Sequence, residues 1–245
     1  MDMLSVVLPA YNEEANVAAT VAEAVAVLRR LGLDYEVIVV DDGSRDATAA
    51  IVQRLAAEDP RIRLVQHERN QGYGAALASG FAAARGELIF LTDADKQFDL
   101  AEIELLLPHI RHADLVIGHR APRRDPFVRR LFGWGWNMLV NLVFGYTARD
   151  VDCAFKLFRR RVLDDVKVAS RGAMFSAELL IRARQAGYVV HEVAVSHRPR
   201  RAGRPTGAKP AVIARAFRDL VRFRWQLLRE SLQARARARR RGVRV

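Results

Sequence analysis

The sequence predicts an α/β protein: a mainly parallel central sheet between layers of helices, followed by a basic amphipathic helix at the carboxyl end. Three observations predict it. Short apolar runs rich in β-branched residues recur through the first 118 residues, as strands buried on both faces require. Alanine-rich stretches with helical spacing separate these runs, and strand–helix alternation with short links implies parallel strands and right-handed crossovers. The third observation is a concentration of positive charge at one end of the chain.

The first run, residues 4–8, follows Met1-Asp2-Met3 with no basic segment before it, so it reads as a strand and not as a signal peptide. Helix 13–31, strand 36–40 and helix 45–58 follow, with Ser44 placed to cap the second helix. Strand 63–65 leads to helix 72–85, which Gly86 can end, then to strand 88–91, helix 99–111 and strand 114–117. Beyond residue 120 the alternation stops. Residues 127–144 place Phe127, Leu131, Trp134, Met138 and Leu142 at helical spacing, interrupted by Asn137 and Asn141 and headed by Arg129 and Arg130. This segment falls short of the roughly 20 apolar residues a spanning helix needs. It reads equally as a core helix and as an interfacial helix or acceptor-groove wall. Helix 175–186, strand 188–195 and a long helix over 210–239 complete the chain. The expected division is a catalytic domain over 1–210 and a basic amphipathic tail over 211–245.

The chain of 245 residues, net charge +12 with one cysteine, is long enough to bury a core without staples. A single cysteine excludes an internal disulfide or a zinc cluster and points to a reducing, cytosolic compartment. Residues 198–245 hold sixteen Lys/Arg against two acids, Asp219 and Glu230, so the remainder is near neutral. Such a block favours an anionic partner: nucleic acid, a membrane surface or a phosphorylated substrate. The tail's few aromatics argue against nucleic acid, and a nucleic-acid module would leave the motifs below without a purpose.

Four motifs fall at expected carboxyl ends of strands, where ligands of open α/β sheets bind. They are Pro9-Ala10-Tyr11-Asn12-Glu13-Glu14, Asp41-Asp42-Gly43-Ser44, Asn70-Gln71-Gly72-Tyr73-Gly74 and Thr92-Asp93-Ala94-Asp95-Lys96-Gln97. A fifth, Asp150-Val151-Asp152-Cys153-Ala154-Phe155-Lys156, lies beyond the alternating region. Asp93 and Asp95, two residues apart on a turn expected to be exposed, repel one another unless a cation sits near them. Mg²⁺ or Mn²⁺ completed by phosphate oxygens is the usual solution. Asp41 is placed to accept hydrogen bonds from a nucleobase or ribose, while Asp42 can equally cap the next helix. Gly72 and Gly74 resemble half a dinucleotide fingerprint, but Leu77 holds the third glycine position. They follow the third strand and not the first, so they read as small residues that let a helix approach the nucleotide. Cys153 reads as a small buried hydrophobe.

Taken in order, these motifs resemble the signature of family-2 glycosyltransferases with the GT-A fold, nearest to the polyprenyl-phosphate (dolichyl-phosphate) mannose and glucose synthases. The resemblance covers residues 4–210. It implies that Pro9, Tyr11, Glu13 and Asp41, with Asp42, Gly72, Asp93, Ala94 and Gln97, hold the nucleotide-diphosphate sugar. It implies further that Asp93, Asp95 and Gln97 bind Mg²⁺ or Mn²⁺. The fifth motif is similar to the family's D-x-x-S-G-F-R segment, with Cys153 and Ala154 replacing Ser-Gly and Lys156 replacing Arg. Residues 198–209 resemble a basic loop that closes over phosphates.

The expected chemistry is an inverting transfer of a hexose, from a donor of the GDP-mannose or UDP-glucose type, to a polyprenyl phosphate at the cytoplasmic membrane face. Metal and basic side chains neutralise the departing diphosphate. Asp95, Asp150 and Lys156 are the candidate catalytic residues, and Arg120, Lys156, Arg201 and Arg204 the candidate cations for the acceptor phosphate. A phosphate acceptor is already anionic and needs little base. A soluble sugar or polysaccharide hydroxyl would need one, with Asp150 the first choice and Asp152 beside it. The tail, with its apolar stripe at Ile213, Phe217, Leu220, Val221, Trp225, Leu228 and Leu232, is expected to associate peripherally with an anionic membrane surface.

Overall fold

Every apolar run expected to be a strand is one in the computed structural model, which describes residues 3–124, 127–199 and 210–240. These are β1 (Leu4–Ala10), β2 (Tyr35–Asp41), β3 (Ile62–Gln66), β4 (Leu88–Thr92), β5 (Leu115–Arg120) and β7 (Val190–Val195). A strand not read from the sequence, β6 (Phe155–Arg159), joins them, and the sheet order is β3-β2-β1-β4-β6-β5-β7. β6 runs antiparallel to both β4 and β5, while β1–β2, β1–β4, β2–β3 and β5–β7 are parallel. Lys156, the second residue of β6, breaks the apolar pattern that marks the other strands. The alternation survives, with Phe155 and Leu157 in one core and Phe158 in the other.

Two hydrophobic cores lie on the two faces of the sheet. One takes Val17, Val21 and Leu28 of α1 (Val17–Arg30), Val52 of α2 (Thr48–Glu58), and Leu100, Ile103 and Leu106. The other takes Leu77 and Phe81 of α3 (Tyr73–Ala83), Val140 of α5 (Phe127–Phe144), and Met174 and Leu180 of α7 (Met174–Gln185). It also takes Leu220, Phe223 and Leu227 of α8 (Pro210–Arg240), so the last helix is packed on the sheet's helical layer. The helix expected over 99–111 is broken into one turn, α4 (Ile103–Leu106), between two 3₁₀ turns. Pro108 cannot continue the helical ladder. The short α6 (Arg160–Asp165) follows β6. Among the described residues no helix is long and apolar enough to cross a membrane.

Helix α2 starts later than expected because the residues before it serve the neighbouring loop. α2 begins at Thr48, whose N–H is taken by Asp46 Oδ1 at 3.0 Å. Ser44, expected as its cap, instead accepts the Asn12 N–H at 2.9 Å.

Candidate active site

The loops after β1 and β2 are knitted into one surface. Asn12 Oδ1 accepts the Arg45 N–H at 2.8 Å, Glu14 Oε2 accepts Ala47 N–H at 2.9 Å, and Thr48 Oγ1 accepts Glu13 N–H at 2.9 Å. Asn12 sits at φ 57°, a left-handed conformation that asparagine tolerates. Glu13 is buried and accepts from Asn16 Nδ2 at 2.7 Å, so its carboxylate braces the loop and is turned away from solvent. Pro9 and Ala10 are buried at the strand end and Tyr11 is half-buried beside them.

Asp41 and Asp42 divide their work. Asp42, expected among the nucleotide contacts, is consumed within the chain. It accepts the N–H groups of Gln71 at 2.8 Å and Gly72 at 2.9 Å, and pairs with His67 Nδ1 at 2.7 Å. His67 Nε2 in turn meets Ser79 Oγ at 2.8 Å. This buried relay fixes the loop after β3. Among the described residues Asp41 accepts only the Ser44 N–H through Oδ1, at 3.3 Å, and its Oδ2 is buried without a hydrogen-bond partner. A buried carboxylate oxygen with nothing to accept costs free energy unless a ligand supplies the donor.

The glycines of the third motif serve chain packing. A Cβ on Gly74 would lie 2.7 Å from the Arg171 carbonyl carbon and 2.8 Å from Phe175 Cβ, so α3 begins hard against the segment preceding α7. Gly43, at φ +68°, lies so close to the Arg69–Asn70 backbone that a Cβ there would fall 2.4 Å from Arg69 C. Gly43 belongs to the second motif, and its close approach is to the protein's own backbone.

The turn after β4 brings Asp93 and Asp95 to the same edge. Asp95, expected to be exposed, is buried and accepts the Gln97 N–H through Oδ1 at 3.1 Å. Asp93 is partly open and accepts the Tyr73 hydroxyl at 3.2 Å. Ala94 is buried, its carbonyl held by Thr20 Oγ1 at 3.1 Å. Gln97 donates its side-chain amide to the Arg198 carbonyl at 3.2 Å, and Arg198 N–H returns a bond to the Gln97 carbonyl at 2.8 Å. The basic segment that begins at residue 198 therefore starts beside the D-x-D turn. Tyr73 is partly exposed, yet the protein packed around its hydroxyl, then the charges of Asp93, Asp152 and Asp95, push that hydroxyl well above its ordinary pKa, so it stays a donor. Tyr73 was not singled out from the sequence, although it lies inside the third motif.

β6 delivers the fifth motif to this edge. Two asparagines that interrupt the apolar face of α5 hold the loop: Asn137 Oδ1 accepts Val151 N–H at 3.0 Å, and Asn141 Oδ1 accepts Thr147 N–H at 2.8 Å. Asp150 and Arg120, expected as base and phosphate cation, are paired with each other at 2.6 and 2.7 Å. Burial opposes the Asp150 charge, but the Arg120 guanidinium more than offsets it and holds the carboxyl below its ordinary range. Such a carboxylate is a weak base. Lys156, expected to meet substrate, is buried, with its ammonium donating to the Val151 carbonyl at 3.1 Å and to the Cys153 carbonyl. Burial lowers its pKa, and its place is inside the motif's turn. Asp152 is exposed, yet the protein around it and the Asp150 charge raise its carboxyl above the ordinary range. Asp152 is therefore the open carboxylate of the pair. Burial pushes the Cys153 thiol up to about 12, which makes it inert, as its reading as a small hydrophobe requires. Arg201 and Arg204 lie outside the described residues, as do most of the basic segment and the side chains of the final arginine cluster.

Strand-tip acids on a mostly parallel sheet, with an antiparallel strand carrying a further acidic motif, define a nucleotide-sugar transferase fold of the GT-A class. The chain belongs to glycosyl transferase family 2, whose model matches residues 5–167. It is 37% identical over 210 residues to a dolichyl-phosphate beta-glucosyltransferase of Trichomonas vaginalis, covering 77% of this chain and 62% of that protein. It is 34% identical over 226 residues to a dodecaprenyl-phosphate galacturonate synthase of Rhizobium johnstonii, covering 89% and 64%. The chain thus spans under two thirds of the length of these relatives. Its fold is similar to glucosyl-3-phosphoglycerate synthase of Mycobacterium tuberculosis, solved with phosphoglyceric acid, at a TM-score of 0.65 and 26% identity over 83% of this chain and 73% of that one. The same enzyme solved with Mn²⁺, UDP and glucosyl-3-phosphoglycerate matches at a TM-score of 0.65 and 25% identity, again over 83% and 73%.

Proposed function

We propose that this chain transfers a hexose from a nucleotide-diphosphate sugar to a polyprenyl phosphate, with inversion, at a membrane surface. The observation that carries the reading is the Asp41 Oδ2 atom, buried at the tip of β2 without a partner among the described residues. It asks for a donor such as a ribose hydroxyl or a nucleobase N–H. Two relatives named for transfer to dolichyl and dodecaprenyl phosphates support the acceptor class.

Asp93, Asp95 and the Gln97 amide oxygen are hard oxygen donors suited to Mg²⁺ or Mn²⁺. No group of three His, Cys, Asp or Glu among the described residues could hold a metal by itself, so the ion would depend on diphosphate oxygens for the rest of its shell. Mn²⁺ and UDP together in the M. tuberculosis structure support that arrangement. A bound Mg²⁺ or Mn²⁺ would neutralise charge on the departing diphosphate. Tyr73 keeps Asp93 oriented, Asp42 and His67 hold the loop at Gln71 and Gly72, and Arg120 fixes Asp150 at the start of the fifth motif. Arg201 and Arg204 remain the proposed acceptor-phosphate cations.

A second reading, transfer to a hydroxyl, is favoured by one observation: Asp152 is open and has a raised pKa, as a general base needs. The test is a donor panel of GDP-mannose and UDP-glucose against polyprenyl phosphate and soluble sugars, scoring lipid-linked product. Lipid-linked hexose supports the first reading. Transfer only to soluble hydroxyls, abolished by Asp152→Asn, replaces it with the second.

A further inference from the structure

α8 carries three faces. Ala216, Leu220, Phe223 and Leu227 are buried against the catalytic layer. Phe217, Val221, Trp225, Leu228 and Leu232 point to solvent, Trp225 with 61% of its surface exposed. The apolar stripe expected from the sequence is thus mostly the outward one. Arg215, Arg218, Arg222 and Arg229 form a third row, roughly 100° around the helix from the exposed apolar row at 3.6 residues per turn.

Arg215, Arg218 and Arg222 of this row border a cleft of about 450 Å³ between α8 and residues 169–172. Gln71 and Gly72 form part of its far wall, and none of Asp93, Asp95 and Asp152 lines it. Its charged lining is Arg171, Arg215, Arg218 and Arg222 against Glu178 and Asp219. Glu178 is already spent, accepting the Ala169 and Ser170 N–H groups and pairing with Arg182 at 2.8 Å. Asp219 pairs with Arg218 at 3.5 Å. Arg171, Arg215 and Arg222 have no ion-pair partner among the described residues. Guanidiniums brought to one cleft repel unless an anion joins them, and their planar forks suit phosphate oxygens.

We propose that this cleft binds the phosphate headgroup of an anionic phospholipid, with the acyl chains lying against Phe217, Val221 and Trp225. A soluble phosphate would use only the arginines. The adjoining exposed apolar row gives a lipid a second set of contacts, and α5 extends it. Trp136 of α5 packs on Phe217, and Phe127, Leu131, Trp134, Met138 and Leu142 are exposed on the same helix. The inference rests on the reading that the protein works at a membrane, and it adds the site, its ligand class and the residues that recognise it.

The test is co-sedimentation of the full chain with phosphatidylcholine vesicles, with and without phosphatidylglycerol. Near an anionic surface each arginine contributes about fivefold in affinity, so Arg215→Gln/Arg218→Gln/Arg222→Gln should lose roughly a hundredfold on phosphatidylglycerol vesicles and little on phosphatidylcholine. Transfer to a short-chain acceptor in detergent should be unchanged, since these side chains lie outside the catalytic edge. The corresponding triple lysine variant keeps the charge without the fork and should recover only part of the binding. Full recovery by lysine, or wild-type binding by the glutamine variant, overturns the cleft as a built site. Displacement of the protein from vesicles by millimolar-scale inorganic phosphate or glycerol 3-phosphate would assign the cleft to a soluble phosphate and overturn the lipid. Absence of transfer to any polyprenyl phosphate with vesicle binding intact would refute the proposed acceptor and leave this site standing.

Discussion

Replacing Arg120 by alanine leaves the Asp150 carboxylate buried with its two charge-assisted hydrogen bonds, at 2.6 and 2.7 Å, removed. Breaking a buried pair from one side costs about 3–5 kcal/mol, which for a domain of this size is roughly 6–20 °C in Tm. The sign with pH follows from the same contacts. In the native protein Asp150 is held below its ordinary pKa, so its contribution is fully present above the unfolded carboxyl value, near pH 4 or so, and is lost as the pH falls through the lower folded value. In Arg120→Ala the main opposition to burial is gone, the Asp150 carboxyl pKa rises relative to wild type, and stability relative to wild type should recover on mild acidification. Urea denaturation at neutral and mildly acidic pH measures both effects, and Asp150→Asn on the same background should restore part of the loss. A variant with an unchanged denaturation midpoint but lost transfer would refute the reasoning, because it would make Arg120 a substrate contact and not the counter-ion of Asp150.

Asp95→Ala should lower transfer by on the order of 10²-fold or more, with a stability loss of about 1–2 kcal/mol from the Gln97 N–H it leaves unpaired; activity assays in Mg²⁺ and Mn²⁺ beside thermal melts check it. Asp41→Ala should raise donor KM by about tenfold with a smaller change in kcat, and an unchanged KM would remove Asp41 from the nucleotide site. Cys153, buried with its thiol pKa near 12, should resist thiol reagents in the native protein and react at once in denaturant; rapid native labelling would contradict its placement. Truncation after residue 210 should lower stability as well as vesicle binding, because it strips Leu220, Phe223 and Leu227 from the second core; a truncated chain with a wild-type melting temperature would show that α8 is not part of that core.

Every strand except β6, and the four strand-tip motifs, were legible because each is a local pattern: a run of apolar residues leading into Asp, Asn or Gly. The helix over 127–144 and the long helix from Pro210 were legible for the same reason, through their periodicity. Pairing was not. Nothing local in Asp41-Asp42 says that Asp42 is spent on Gln71, Gly72 and His67 while Asp41 keeps an oxygen without a donor. Nor does Phe155-Lys156-Leu157-Phe158-Arg159 announce a central strand, because the hydrogen bonds of its buried lysine go to carbonyls that the folded loop supplies. β6 runs against its neighbours, and that reversal carries Asp150 and Asp152 to the edge where Asp93 and Asp95 lie. The same long-range packing decided which stripe of α8 faces the protein: Phe223 and Leu227 found partners on the catalytic layer, while Trp225, apolar by the same sequence pattern, was left outside. Composition and spacing determine which residues can be apolar, charged or turn-forming. Which of two adjacent carboxylates is open, and which of two apolar stripes is buried, depends on contacts between segments tens of residues apart, and only the tertiary structure makes them.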